Sequence, residues 1–179
     1  MSYQSFKSQV FRLLDNPVAT MVTTLLDYQG LNLDFPGRRD RAEPTAAGRA
    51  AAVQDAMGRD IQDRRYVPFV LMHEFEALLL VKPEVIAEVL RKPQLREPLQ
   101  AIRKERPEYA RTPEEINEGA ETSPSSRIHD IALRVTRGAA FQKVAHGPLV
   151  AERIGLAAIR SECPHFDSWL TRLEAHASP

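Results

Sequence analysis

Cysteine is almost absent: Cys163 is the single one in 179 residues. No intrachain disulfide can form, which fits a reducing compartment. An excess of one charge is lacking too. Lys and Arg total 24, Asp and Glu total 24, and the formal net charge is zero. Proteins that bind nucleic acid or membrane surfaces through their overall field carry such an excess, so here only a local basic groove stays open. Long apolar runs are missing. Those around Met21–Leu26 and Ala77–Val81 fall far short of a bilayer span. The N-terminal Met-Ser-Tyr-Gln-Ser-Phe-Lys has no apolar signal core, so the cytoplasm is the expected location, with no membrane partner. There is no glycine-rich phosphate loop, and ATP binding is not expected. One cysteine and five scattered histidines show no zinc spacing.

What is present suits a single domain over 1–179 with a real core, since 43% of residues are hydrophobic. Tyr3, Phe6, Val10, Leu13 and Leu14 repeat at helical steps, and Asn16-Pro17 ends that helix. Val18–Leu26, rich in Val, Thr and Leu, reads as a buried strand running into Asp27. Asp27–Thr45 reads as a long loop with Gly30, Pro36, Gly37 and Pro44. Ala46 to about Ile61 is a helix with Thr45 as its cap. Tyr66–Met72 is a second strand, with Pro68 near its entrance. A strand–helix–strand crossover of this length implies parallel strands. Residues 1–82 are therefore expected to form a βαβ core and 83–179 a helical half. In that half the expected helices are Glu84–Arg91, Pro93–Lys104, Ser123–Leu133, Ala139–Ile154, Leu156–Glu162 and one opening at Pro164. Arg111–Glu121 reads as a polar, acidic surface loop with a weak helical turn.

Open α/β sheets bind ligands beyond the C-terminal ends of their strands. Asp27 ends the first strand, and His73, Glu74 and Glu76 follow the second. Topology is expected to bring them to one edge, where carboxylates suit Mg²⁺ or Mn²⁺. Such a metal activates water and stabilises charge on a phosphate. The plainer reading has Asp27 and Glu74 capping the elements that follow them. Glu74 and Glu76 stand two apart and are expected not to face the same ion; which one faces it stays open. Arg127, Lys143 and His146 are candidates for a phosphate-facing patch, or Arg127 is a solvated residue beside the Ser123–Ser126 cap. Arg38, Arg39 and Arg41 either steer a polyanion or serve solubility. Cys163 and His165 make a poor nucleophilic pair. Phe166 and Trp169 are expected in the core.

Several segments carry a family resemblance. Thr23–Leu31 with Asp34-Phe35-Pro36-Gly37 resembles the first signature of the family called domain of unknown function 4276. His73–Leu79 resembles its second, and Thr122–Ile128 its third. Lys143 with His146-Gly147-Pro148 resembles a fourth, and Gly155-Leu156 through Trp169 the closing segment. The order is preserved from about Val18 to Leu173. That family is similar to Toprim domains, small α/β modules whose acidic residues hold Mg²⁺ for phosphodiester chemistry. The resemblance implies a Toprim-like core and Mg²⁺-dependent chemistry on nucleic acid, a nuclease in a defence or mobile-element setting. In it Asp27, Glu74 and Glu76 are metal ligands. The alternatives are a non-catalytic partner subunit of an ATPase, or an inactive family member truncated at its N-terminus. Family members open with a strand leading into Glu-Gly-x-Thr-Glu, and this chain begins after that segment. A two-stranded parallel sheet needs more cover. An upstream start codon, or completion of the sheet by another chain or a homo-oligomer, is the corresponding expectation.

Overall fold

In the computed structural model, which describes residues 1–39, 43–104, 110–116, 122–138 and 141–177, the apolar spacing at the N-terminus becomes helix α1 (Tyr3–Leu14). The Ser2 hydroxyl caps it by accepting from the Ser5 N–H, and Phe6, Val10 and Leu14 form its buried face. The chain divides into two units, Met1–Met72 with Ser168–Pro179, and His73–Asp167. It is mixed α/β and mostly helical, with a small parallel ribbon and a helical C-terminal half, as the sequence pattern implies.

The first unit holds the ribbon. Strands β1 (Val22–Thr23) and β2 (Leu26–Asp27) pair in parallel with β3 (Tyr66–Val67) and β4 (Val70–Leu71). Helix α2 (Ala46–Ile61) is the crossover. The Thr45 hydroxyl caps α2 by accepting from Gly48, and Ala50, Val53, Met57 and Ile61 bury one face of it. With Phe6, Val10, Val22, Tyr28, Phe35 and Val70 they make one apolar core.

The first strand is shorter than the expected Val18–Leu26. Asn16 explains this: its Oδ1 accepts from the Val18 N–H at 3.1 Å and holds Val18 in a turn, with its side chain in solvent. The second strand is interrupted where Pro68 has no N–H to donate. Threonine hydroxyls bridge the gap. Thr23 Oγ1 donates to the Val67 carbonyl at 2.6 Å, and the Phe69 N–H reaches Thr24 Oγ1 at 3.4 Å. One edge donor of β4 is also satisfied from α2, because the Val70 N–H meets Gln54 Oε1 at 2.9 Å. Blocking edge donors in this way suppresses further strand pairing. Trp169 stacks on buried Phe69, ring centroids 4.6 Å apart, and donates Nε1–H to Thr23 Oγ1. Arg65 ties the C-terminus of α1 to the start of β3, donating to the Leu14 and Ala19 carbonyls while forked on Asp63.

The loop after Asp27 is not a bare loop. It opens with a 3-10 turn at Tyr28–Gly30, and Tyr28, Leu31 and Phe35 are buried. Gly37 has φ +77°, and a Cβ there would lie 2.8 Å from the Ala52 carbonyl oxygen. Only glycine fits this turn against α2.

In the second unit, α3 (Glu76–Leu79), α4 (Glu84–Val89), α5 (Arg96–Lys104), α6 (Pro124–Thr136), α7 (Lys143–Ile154) and α8 (Leu156–Glu162) follow the expected order. A final helix, α9 (Pro164–Ala177), contributes its first residues to this unit and its remainder to the other. The expected helix from Ala139 begins at Lys143; residues 139–140 lie outside the described residues. The weak helical turn expected in the acidic 111–121 segment is present, but the segment is not all at the surface. Thr112 and Glu115 form a capping box around a 3-10 turn at Pro113–Glu115, and Glu114 and Ile116 are buried. Residues 117–121 lie outside the described residues.

Candidate functional site

The second unit begins at His73, which is buried. Glu74 follows in non-helical backbone, Phe75 turns the chain, and Glu76 opens α3. Neither strand alternation nor helical spacing therefore governs Glu74 and Glu76.

Helix α6 begins beside Glu74. Ser123 caps it with its hydroxyl on the Ser126 N–H, and Pro124 occupies the first turn, as the sequence predicts. The next donor, the Ser125 N–H, goes to Glu74 Oε2 at 3.1 Å. Glu74 is thus a helix cap, of α6 rather than of the element that follows it. A carboxylate there is favoured by the helix field as well as by the hydrogen bond. Helix α7 supplies the counter-charge. Gly147 faces the Phe75 ring so closely that an added Cβ would meet Cε1 at 3.4 Å. Lys143 stands one turn earlier on the same face. Its Nζ lies 3.7 Å from Glu74 Oε1 and 3.8 Å from Glu76 Oε2.

Two carboxylates of one unit thus share one cation position. The expectation that Glu74 and Glu76 face apart does not hold in the backbone turn they occupy. Their side chains are 16% and 5% exposed, whereas that of Lys143 is 52% exposed. The acids are fixed inside and the ammonium reaches in from solvent.

The other expected residues are distributed as follows. His146 Nδ1 accepts from the Gln142 N–H at 3.0 Å, so it braces the start of α7 and its proton sits on Nε2 in the neutral ring. Arg127 is half-buried in the first turn of α6, and its guanidinium has no hydrogen bond or ion pair among the described residues. Asp27 belongs to the first unit. It ends β2, in register with Leu71, and its side chain makes no capping bond to the turn that follows. The parallel pairing expected for the two strands is present. Arg38 and Arg39 also belong to the first unit, and Arg41 lies outside the described residues. Among the described residues no three His, Cys, Asp or Glu side chains gather as a metal site.

The sequence matches the family described as domain of unknown function 4276 over residues 1–174. The chain belongs to that family. No curated protein and no solved structure matches it. Domain of unknown function 4276 here takes in α1, the ribbon, and the whole Glu74–Glu76–Lys143 cluster. Among the described residues no helix of this family member is long and apolar enough to cross a membrane.

Sequence reasoning missed Glu114. It is 2% exposed, and its two oxygens accept the N–H groups of His165 and Phe166 at 3.0 Å each, at the start of α9. Burial pushes its carboxyl up to about 7, against the pull of those donors. The Thr112-x-x-Glu115 spacing marks Glu115 as a capping-box acid, but nothing local shows that Glu114 is buried. Cys163 is fully buried. Burial first, then the Glu114 and Glu162 carboxylates, drives its thiol well above the usual range. A thiol held in that form is a packing residue, not a nucleophile.

Proposed function

We propose that this protein carries out divalent-metal-dependent phosphodiester chemistry on nucleic acid, with Glu74 and Glu76 holding the ion. The observation that supports this reading is the convergence of both carboxylates on one cation position, now filled by Lys143. Mg²⁺ is commonly held by one or two carboxylates, with waters and substrate phosphate completing its shell. A two-carboxylate donor set therefore fits Mg²⁺, with Mn²⁺ as the close substitute. When bound, the ion would polarise a phosphoryl oxygen and lower the pKa of a water. The chain's own part is to preset the ligands: α6 fixes Glu74 through Ser125, and α3 fixes Glu76. Lys143, released from the carboxylates, offers its ammonium to phosphate. Arg127 and the Nε2–H of His146 are the further donors for phosphate oxygens. Asp27 and His73 enter the reading as residues at the strand ends, and the Toprim-like core through the family resemblance.

The same triad also suits a non-catalytic subunit, such as the partner of an ATPase, in which Lys143 simply neutralises a buried acid, Glu76, and a part-buried one, Glu74. Cleavage assays on single- and double-stranded DNA and RNA with Mg²⁺ or Mn²⁺ separate the two. The catalytic reading expects metal-dependent cleavage that falls to background in E74Q and in E76Q, and calorimetric Mn²⁺ binding lost in both. Absence of cleavage by the unmodified chain, or cleavage unchanged in the variants, leaves the subunit reading. Unchanged activity in D27N removes Asp27 from the site.

A further inference from the structure

We propose that the first unit carries a separate phosphate-binding cleft, built from Arg38, Arg39 and Arg49 beside Tyr28. It rests on no part of the metal reading. The cleft has a volume of about 660 Å³, and all three arginines line it. Each is positioned by a neutral oxygen. Arg38 lies over the Tyr28 ring, its Cζ 4.1 Å from the centroid, and donates to Tyr28 Oη at 3.0 Å. Arg39 donates its Nε–H to the Leu33 carbonyl at 3.0 Å, and Arg49 an Nη–H to the Pro44 carbonyl at 2.7 Å. Among the described residues none of the three forms an ion pair. A guanidinium has five N–H donors, so toward the described residues each arginine keeps most of its donors open. Among them the Nε–H of Arg38 is buried without a partner.

Gathering three like charges in one recess raises their mutual repulsion, which an anion would relieve. Guanidinium forks match phosphate oxygens in geometry as well as charge. Backbone turns fix the arrangement: Gly37 packs against Ala52 and so sets where Arg38 and Arg39 leave the chain. Among the described residues the one carboxylate lining the cleft, Glu43, is turned toward the first turn of α2, close against Gly48. It occupies the helix end, so the anion is held by the arginine side chains and not by the helix. An adjoining groove of about 890 Å³ shares Arg39 and Glu43 but adds Asp34 and Asp55. Its mixed sign makes the arginine cleft the anionic subsite. The recess is roomier than a lone phosphate needs, so the ligand is a larger phosphate compound, either a free nucleotide or a stretch of phosphodiester backbone.

The test uses the full chain in EDTA, so that loss of the metal site and loss of this cleft read out separately. Pyrophosphate and a nucleoside diphosphate are titrated by calorimetry, and a short labelled single-stranded DNA by anisotropy. Binding is expected to weaken about tenfold or more in R39Q and R49Q. For the DNA, the salt slope should drop by about one for each arginine removed. E43Q, which removes the competing charge, should bind more tightly. Tighter binding of DNA than of the diphosphate assigns the cleft to a backbone, and the reverse to a free nucleotide. Either outcome supports the cleft, provided circular dichroism shows the variants folded. No binding of any probe, or unchanged binding in folded R39Q and R49Q, overturns it.

Discussion

Glu114 makes the pH dependence of stability calculable. In an unfolded chain its carboxyl ionises near 4.5; in the folded chain burial lifts it to about 7. Between those values the folded state keeps a proton that the unfolded state has lost. Stability from this group is therefore fully present below about pH 4.5, falls as pH rises, and is gone above about 7. A shift of this size corresponds to about 3 kcal/mol. At roughly 2–4 °C per kcal/mol for a chain of this length, the melting temperature should fall by on the order of 10 °C across the window. Other groups titrate there as well, so the useful quantity is the difference from E114Q. The amide stays neutral at every pH and keeps one acceptor for the His165 and Phe166 N–H groups. It should cost about 1–2 kcal/mol at pH 4.5, where its NH₂ meets a donor. At pH 8 it should match or exceed the unmodified chain. Thermal melts of both proteins from pH 4.5 to 8 give that difference directly. A gap independent of pH would show that Glu114 ionises at its ordinary value, and the burial argument would fail.

Three further outcomes are expected. G37A should destabilise the chain by about 2 kcal/mol or more in denaturant melts, since the residue combines positive φ with contact on the Ala52 carbonyl. W169F should cost about 1 kcal/mol, the hydrogen bond to Thr23, while W169A should cost about 3 kcal/mol by also removing the stack on Phe69; equal losses would place the energy elsewhere. K143M should lower the melting temperature in EDTA, because the Glu74 and Glu76 carboxylates lose the ammonium between them, and added Mg²⁺ should restore it, whereas the unmodified chain should respond far less.

Local chemistry was legible in the sequence, and chemistry made by packing was not. Thr45 and Ser123 identify themselves as caps because a hydroxyl three residues before an N–H needs no distant partner. The apolar steps of α1 and α2 are equally self-contained. The strands were overextended because β-propensity does not register the Asn16 turn that takes Val18 out. Nor does it show that Thr23 and Thr24 spend their hydroxyls filling a gap at Pro68, on a segment remote in sequence. At the candidate site, Glu74, Glu76 and Lys143 were each identifiable as chemistry-bearing residues. Their meeting depends on Phe75 turning the chain and on Gly147 admitting α7 beside it. Glu115 can be read as the acid of a Thr-x-x-Glu capping box, but the burial of its neighbour Glu114 under α9 depends on residues 51 and 52 positions away.

The exposure gradient within the cluster decides how it behaves toward a metal. Lys143 is the most exposed member, held at distances beyond hydrogen-bond length. Its flexible stem lets the ammonium leave with no backbone movement. Glu74 has no such freedom, being bonded to the Ser125 N–H at the α6 terminus. A divalent ion brings twice the charge to oxygens that are already in place, so exchange costs a side-chain rotation rather than a rearrangement. On the metal-binding reading proposed above, the cluster is stable without an ion and has its ligands preset for one. A purely structural triad shares the first property but not the second. Stability and metal response have to be read on the same K143M protein: lost stability that Mg²⁺ fails to restore identifies two acids that need a lysine, whereas restored stability identifies two acids that need a cation.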